Sequence, residues 1–296
     1  MTKDPGRREK CRDIILPPPH YPFPYRRNSG TFNAMNDLTP GEPTHGIVVI
    51  ISADTEWNVM RLLHPEAEMR RTPFGEWFVR DLDIGAERRP VTFLHGGWGK
   101  IAAAASAQHA IDRFRPELLV NIGTCGGFAG AIERGTVVAA ERTVVYDIIE
   151  MMGDQEEATA HYTTEIDLSW LGESLPSPAI RTLLVSADRD LMIHELPDLR
   201  ARYNAVAGDW ESGAIAWVAA RNGVRLLILR SVSDLVGDSG GEAYGRIEVF
   251  HESTREVMAH LLAILPLWIA AAMPSPPFPA DGAASPLPDK PTTPVK

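Results

Sequence analysis

The sequence predicts an α/β domain on a mainly parallel central sheet. Short apolar, β-branched runs such as Gly46–Ser52 have the composition of strands buried on both faces. Stretches of helical character separate these runs, so strands and helices alternate along the chain. The placement of proline sets the limits of the domain. Of 24 prolines, eight precede residue 46 and eight follow residue 272. Residues 1–45 and 273–296 therefore read as proline-rich unfolded tails, and 46–272 as the folded part. Met35 offers a second possible start close to it.

Each element has a local reason. Gly46–Ser52 is a buried strand, and Glu56 to Leu63 has helical character. Trp77 to Leu82 and Pro90 to His95 read as strands of a small antiparallel stretch. Gly96-Gly97-Trp98-Gly99-Lys100 is a glycine-rich turn before an alanine-rich helix from Ile101 to about Phe114. Leu118–Ile122 is another buried strand, ending in the glycine-rich segment Gly123–Gly127. Gly135 to Ala140 and Leu183 to Ser186 continue the theme. A helix from Glu211 to Asn222 stops at Gly223, in the position that favours a left-handed residue. Val224 to Arg230 is the next strand, running to Ser233-Asp234, and a last helix spans about Val249 to Ala271. Residues 148–180 are polar and fit no single pattern.

Composition narrows the function. The 296 residues are 44% hydrophobic, enough for a sizeable core, and carry a formal net charge of −10. That acidity argues against a nucleic-acid partner. Two cysteines, Cys11 and Cys125, cannot build a disulfide framework, so a reducing cytoplasmic setting is expected. The charged N-terminus lacks a following apolar stretch because Pro17-Pro18-Pro19 interrupts it. The apolar run Leu261–Met273 contains Pro266 and is too short to span a bilayer, so it reads as part of a buried helix and no membrane partner is expected. The histidines show no metal-ligand spacing.

In open α/β sheets ligands sit beyond the carboxyl ends of the strands. Those ends are Ser52-Ala-Asp-Thr-Glu56, Gly96–Gly99, Asn121–Gly127, Ser186–Asp190 and Ser233-Asp234. Glu56, Glu211 and Asp234 fall at or near them, a high density of carboxylates for a half-buried rim. These segments, with Gly97-Trp-Gly-Lys100, Leu184-Val-Ser-Ala-Asp188, Asp209-Trp-Glu-Ser-Gly-Ala-Ile-Ala216 and Arg230-Ser-Val-Ser-Asp234, resemble the purine nucleoside phosphorylase and nucleosidase superfamily. The resemblance is greatest to 5′-methylthioadenosine/S-adenosylhomocysteine nucleosidases. It implies a single three-layer α/β domain with a mixed, barrel-like sheet flanked by helices, assembled as a homodimer or larger oligomer. It also implies cleavage of an N-glycosidic bond, with a nucleoside and water as partners and neither metal nor organic cofactor.

Carried over residue by residue, the resemblance makes Glu211 the ribose-binding glutamate, Asp234 the purine-facing acid supported by Ser233, and Glu56 the water-activating base. The chemistry needs such a set. Cleavage builds positive charge on the ribose and negative charge on the departing purine, so a carboxylate at the ribose binds the transition state more tightly than the substrate. Asp234 can protonate the purine only if it keeps its proton, which requires burial. Gly97, Thr124, Cys125, Gly126, Asp190, Asp209 and Trp210 complete the expected substrate-binding set.

Phosphate would need cations. The family's phosphorylases place an arginine before the Gly-Ser/Thr-Cys-Gly turn, where this chain has Asn121, and a Gly-Asp-Pro segment with a nearby arginine where it has Ser52–Glu56. Hydrolysis is therefore expected, with Thr124 available to the nucleophile. Two positions depart from the nucleosidase pattern. Asp190 stands where an aromatic residue stacks on the base, and Trp210 replaces a methionine under the ribose. Either the base is held differently, with Asp190 pairing to a ring N–H, or the nucleoside is not methylthioadenosine. Some local readings stay open. Asp209 is a helix cap or a ligand, Asp54 a cap for the helix that follows it, and Glu56 a first-turn charge or a base. Cys125 reads as a packed thiol, and Lys100 and Asp188 as structural. The competing functions are phosphorolysis and a catalytically silent nucleoside-binding module whose tails recruit partners.

Overall fold

Five consecutive apolar residues, Ile47–Ile51, form β1, buried at every position between two parallel neighbours. This is the environment that a run without polar alternation predicts. A computed structural model describes residues 46–172 and 174–273; the two proline-rich segments expected as tails lie outside them but for Met273. In chain order the remaining strands are β2 (Arg70–Arg71), β3 (Glu76–Ile84), β4 (Glu87–His95), β5 (Leu118–Phe128), β6 (Val137–Val145), β7 (Thr163–Glu165), β8 (Ile180–Ser186), β9 (Ala207–Asp209), β10 (Leu226–Gly237) and β11 (Gly240–Gly241). The helices are α1 (Asp54–Leu63), α2 (Gly99–Phe114), α3 (Gln155–His161), α4 (Leu196–Tyr203), α5 (Ser212–Arg221) and α6 (Ile247–Ala272).

All strands join one mixed sheet in the order β11-β10-β6-β8-β9-β5-β1-β4-β3-β2, with β7 on β6. A further pairing of β5 with β10 closes β5, β10, β6, β8 and β9 into a ring. The ring is the barrel, and β1, β4, β3 and β2 extend from it as an open wing. Parallel pairs (β1 with β4 and β5, β5 with β10, β6 with β8) mix with antiparallel ones (β10 with β6, β5 with β9). Helices α2 and α5 pack on each other, as do α1 and α6.

The main difference from the expected elements lies in β5 and β10. Gly123–Gly127 reads as a turn by composition, yet β5 runs through it to Phe128. Its glycines are required by close approach rather than by turning. A Cβ on Gly123 would lie 2.2 Å from Arg230 Nη1 and 2.6 Å from Glu56 Oε1, and one on Gly127 would lie 2.7 Å from both Ile132 and Val232. Likewise β10 continues past Ser233-Asp234 to Gly237, with a bulge between Val232 and Asp234. The polar stretch 148–180 contributes only α3 and β7, and β9 is too short for pattern reading.

The last helix is two residues longer at its start than expected and carries Pro266 inside it. Pro266 removes one backbone bond, and packing offsets that cost. Val257, Met258, Leu261, Leu265, Trp268 and Ile269 form its buried stripe against the sheet. Among the described residues α6 alone is long and apolar enough to cross a membrane. Trp268 is fully buried and its indole N–H donates to Ser177 Oγ at 2.8 Å. Replacing Trp268 by Ala should lower the unfolding free energy in urea by about 3–5 kcal/mol through the cavity it leaves. A loss below about 1 kcal/mol would mean α6 is not part of the cooperative core.

Candidate active site

The site gathers where β1, β5, β9 and β10 end or bend, and it is organised by a residue that pattern reading passes over. Arg230 sits in the middle of an apolar strand, Leu226–Val232, and its side chain is 0% exposed. Every part of its guanidinium has a partner. Nε donates to Ser212 Oγ at 3.0 Å, Nη1 to the Thr124 carbonyl at 3.3 Å, and Nη2 to Asn121 Oδ1 and Asp209 Oδ2, both at 2.8 Å. Glu56 Oε1 and Glu211 Oε2 each lie 3.8 Å from its nitrogens. One buried cation thus holds three buried carboxylates.

Glu56 is placed by the start of α1, which begins directly after β1. It occupies the third helical position, where it accepts the Ala53 N–H at 3.3 Å. Its Oε1 accepts the Thr124 amide at 2.5 Å and the Thr124 hydroxyl at 2.8 Å. Glu56 is therefore no solvated first-turn charge: it is 1% exposed and bonded across the sheet to β5. Thr124, expected to be available to a nucleophile, donates its hydroxyl hydrogen to Glu56 and keeps its oxygen as an acceptor. Asp54 opens α1 instead of capping it, and its carboxylate lies 3.1 Å from His95 Nε2. The His95 hydrogen bond and charge hold it below its ordinary value.

Glu211 stands at the N-cap of α5, and its Oε1 accepts the Gly99 N–H at 3.1 Å. Burial pushes its carboxyl up to about 8; Arg230 opposes the rise, and Asp209 and Glu56 add to it. Glu211 therefore holds a proton at neutral pH in the unliganded site. Asp209 has both oxygens occupied, by Ser186 Oγ at 2.6 Å, Arg230, and the amide and hydroxyl of Ser212. It braces Arg230 against the first turn of α5.

Asp234 lies four residues beyond Arg230 on β10, roughly 13 Å along an extended strand. The bulge next to it turns it toward Ser233, whose Oγ lies 2.7 Å from Asp234 Oδ1 and 3.3 Å from the Cys125 carbonyl. Burial raises the Asp234 carboxyl above its ordinary value, the Ser233 hydrogen bond and Arg134 lower it, and Glu242 and Asp190 raise it further. Asp190 is exposed. Tyr244 donates to the Leu191 carbonyl at 2.7 Å, and burial raises its phenol. Gly126 lies under Leu191, and Cys125 is a buried thiol that burial pushes up, so it is no nucleophile. Gly97 takes a positive φ of 79° in the turn before α2. Trp210 contacts Trp98 there. Lys100 pairs with Asp147, and Asp188 accepts the Lys100 amide at 2.7 Å.

The structure thus joins Glu56, Thr124, Asp209 and Glu211 around Arg230, and Ser233 and Asp234 farther along β10, with Asp190, from the loop after β8, acting on Asp234 by its charge. Arg230, Asn121, Ser186 and Ser212 were not candidates from the sequence. The available signal was a lone charge inside an apolar strand.

The charge balance gives a pH signature. Below the ordinary carboxylate range Glu211 is protonated folded and unfolded; from there up to about 8 only the folded chain keeps the proton. Its contribution to stability is fully present at acid pH and is lost as pH rises through that window. Glu211→Gln should flatten this part of the stability–pH curve, measured by urea unfolding. Arg230→Met should cost about 3–5 kcal/mol at neutral pH by stranding buried carboxylates, with partial recovery on acidification.

The profile of the phosphorylase superfamily matches residues 48–267. A 5′-methylthioadenosine/S-adenosylhomocysteine nucleosidase of Marinomonas sp. is 27% identical over 183 residues, 53% of this chain and 74% of its own length. The nucleosidase of the same description from Listeria welshimeri is 26% identical over 240 residues, covering 74% and 98%. Among solved structures, the Helicobacter pylori nucleosidase with butyl-thio-DADMe-Immucillin-A superposes with TM-score 0.61 at 16% identity, covering 76% of this chain and 99% of that one. The Streptococcus pneumoniae nucleosidase with a transition-state inhibitor gives TM-score 0.59 at 17% identity, covering 77% and 100%. These structures share the fold, and the profile match spans most of the described residues: the chain belongs to the phosphorylase superfamily.

Proposed function

We propose that the protein hydrolyses the N-glycosidic bond of a purine nucleoside, releasing the free base and the ribose moiety. The relatives' names point to 5′-methylthioadenosine, S-adenosylhomocysteine or a related 5′-modified nucleoside. The observation that carries the choice of hydrolysis is the state of Arg230. Its guanidinium is consumed by Asp209, Asn121, Ser212 and Thr124, with two more carboxylates beside it. It cannot grip a phosphate anion, and a phosphate there would meet Glu56 and Glu211. Water meets no such repulsion.

In this reading Glu211 accepts the ribose hydroxyls and Asp234 faces the purine. As the C1′–N9 bond breaks, its electron pair passes to the purine, which takes the Asp234 proton at N7. Water forms the new C1′–O bond and gives its proton to Glu56. Burial of Asp234 supports its role as the acid, because a carboxyl that keeps its proton can donate it. Asp190 takes the place of an aromatic stack and offers an acceptor to a ring N–H of the base.

Assembly into a homodimer or larger oligomer belongs to the same proposal. Ile101, Ile149, Met151 and Met152 are exposed apolar residues on α2 and on the loop that Asp147 ties to Lys100. A second copy of the chain would cover them. The buried free thiol of Cys125 suits a reducing cytoplasm. The proposed catalytic unit is residues 46–272.

A nucleoside panel with chromatographic product identification, run with and without phosphate, tests the reaction. Free base and free ribose moiety at a phosphate-independent rate are expected; strict dependence on phosphate and a sugar phosphate product would replace hydrolysis by phosphorolysis. Asp234→Asn should abolish base release with the fold intact by circular dichroism. Glu211→Gln should lower kcat by on the order of 10²-fold or more with little change in KM. Binding without any base release by the parent protein would favour a silent nucleoside-binding module.

A further inference from the structure

Two tryptophans close the turn beside Glu211. Trp98 and Trp210 lie with ring centroids 4.7 Å apart and planes at 31°. Each immediately precedes one partner of the hydrogen bond from Gly99 N–H to Glu211 Oε1. The aromatic contact and the hydrogen bond therefore fasten the same two segments, the start of α2 and the start of α5. Gly97 and Gly99 flank Trp98 with φ of 79° and 84°, backbone that an L side chain rarely adopts. That geometry sets the direction in which the indole leaves the chain. On its other side the turn is anchored by Asp188, which accepts the Lys100 amide and lies 3.1 Å from where a Gly99 Cβ would be.

Trp98 is 61% exposed, although a tryptophan ordinarily buries most of its surface. One face of its ring is spent on Trp210. Glu211, next to this pair, is buried. Its Oε1 is fixed on Gly99, while Oε2 stands 3.8 Å from Arg230 Nη2, beyond hydrogen-bond range. One oxygen is thus locked and the other is left to accept a hydroxyl.

We propose that Trp98 and Trp210 form a clasp that positions Glu211 and makes the site selective for a ribose carrying the hydroxyl that Glu211 holds. The clasp holds Gly99 on Oε1, so the direction of the free Oε2 is set before substrate arrives. Pre-set direction is what lets a buried acceptor reject a ligand lacking the matching hydroxyl. Trp98 and Trp210 are positioning residues here, acting through Glu211. The inference rests on the reading of Glu211 as the ribose-holding carboxylate.

The test compares kcat and KM for 5′-methylthioadenosine and its 2′-deoxy and 3′-deoxy analogues in the parent protein, Trp98→Ala, Trp98→Phe and Trp210→Ala. The parent should prefer the ribonucleoside over at least one analogue in kcat/KM by on the order of 10- to 100-fold, the cost of leaving one buried acceptor unpaired. Both alanine variants should lose most of that preference, with kcat for the ribonucleoside falling more than KM rises. Trp98→Phe should retain it, because a smaller ring still stacks. An undiminished preference in Trp98→Ala overturns the clasp while leaving the role of Glu211 intact. Absence of any preference in the parent overturns the role of Glu211 itself, and the clasp with it. Should an alanine variant fail to fold, Trp98→Leu and Trp210→Leu take its place with the same loss of preference expected, since a leucine fills space without an aromatic ring to stack. An undiminished preference in a folded leucine variant overturns the clasp.

Discussion

A single guanidinium without access to water, that of Arg230, is the constraint around which the site is arranged. A buried cation is tolerated only when its donors are satisfied and its charge is answered. Here the answer comes from separate parts of the chain: Asn121 and Thr124 from β5, Asp209 from β9, Ser212 from α5 and Glu56 from α1. Each contact draws one element toward the same point on β10. The sheet ends and the two helix starts are therefore placed relative to one another by charge as well as by apolar packing. The distances rank the three carboxylates: Asp209 is bonded to Arg230 directly, whereas Glu56 and Glu211 stand 3.8 Å away. The farther two are held mainly by backbone amides, of Thr124 and Gly99 respectively. They keep acceptor capacity that Asp209 has lost.

The glycines of β5 follow from the same constraint. Arg230 and Glu56 pass so close to Gly123 that no side chain fits there. A segment that looks like a turn is a strand because its neighbours on both sides supply the ladder, β10 along its length and β9 near its end. Composition reports the absence of side chains; only the surroundings report whether that absence serves turning or crowding. This is why β1, β3, β4 and the long helices were legible from apolar pattern, and β2 and the glycine-rich ends of β5 and β10 were not.

The site was legible to a similar degree and for a related reason. Glu56, Glu211 and Asp234 stand out because carboxylates at strand ends break an apolar pattern at a place where ligands bind. Arg230 breaks the same pattern one residue after Leu229, yet it closes the strand expected over Val224 to Arg230, where local composition does not say whether a charge faces solvent or the core. Asn121 was informative only as a missing arginine, although its side chain spans from the Ile50 carbonyl to Arg230. Asp209 could be a cap or a ligand by sequence. The structure gives it Ser212 N–H, as a cap would have, together with Arg230, which no local rule contains. Local patterns find the residues that touch solvent-side chemistry and miss those that hold them.

Charge also explains how acids gathered at two points along one strand differ in behaviour. Near Arg230 the carboxylates share a cation, so burial and attraction oppose each other. At Asp234 the charges that act are Glu242, Asp190 and Arg134, so burial and repulsion act together and only Ser233 and Arg134 resist. Moving four residues along β10 thus passes from an environment where a buried cation opposes the effect of burial to one where repulsion adds to it. A bond whose cleavage leaves a cation on one fragment and an anion on the other needs that gradient along its own axis. The strand supplies it because Arg230 is buried at one end and the bulge at Ser233 turns Asp234 inward at the other.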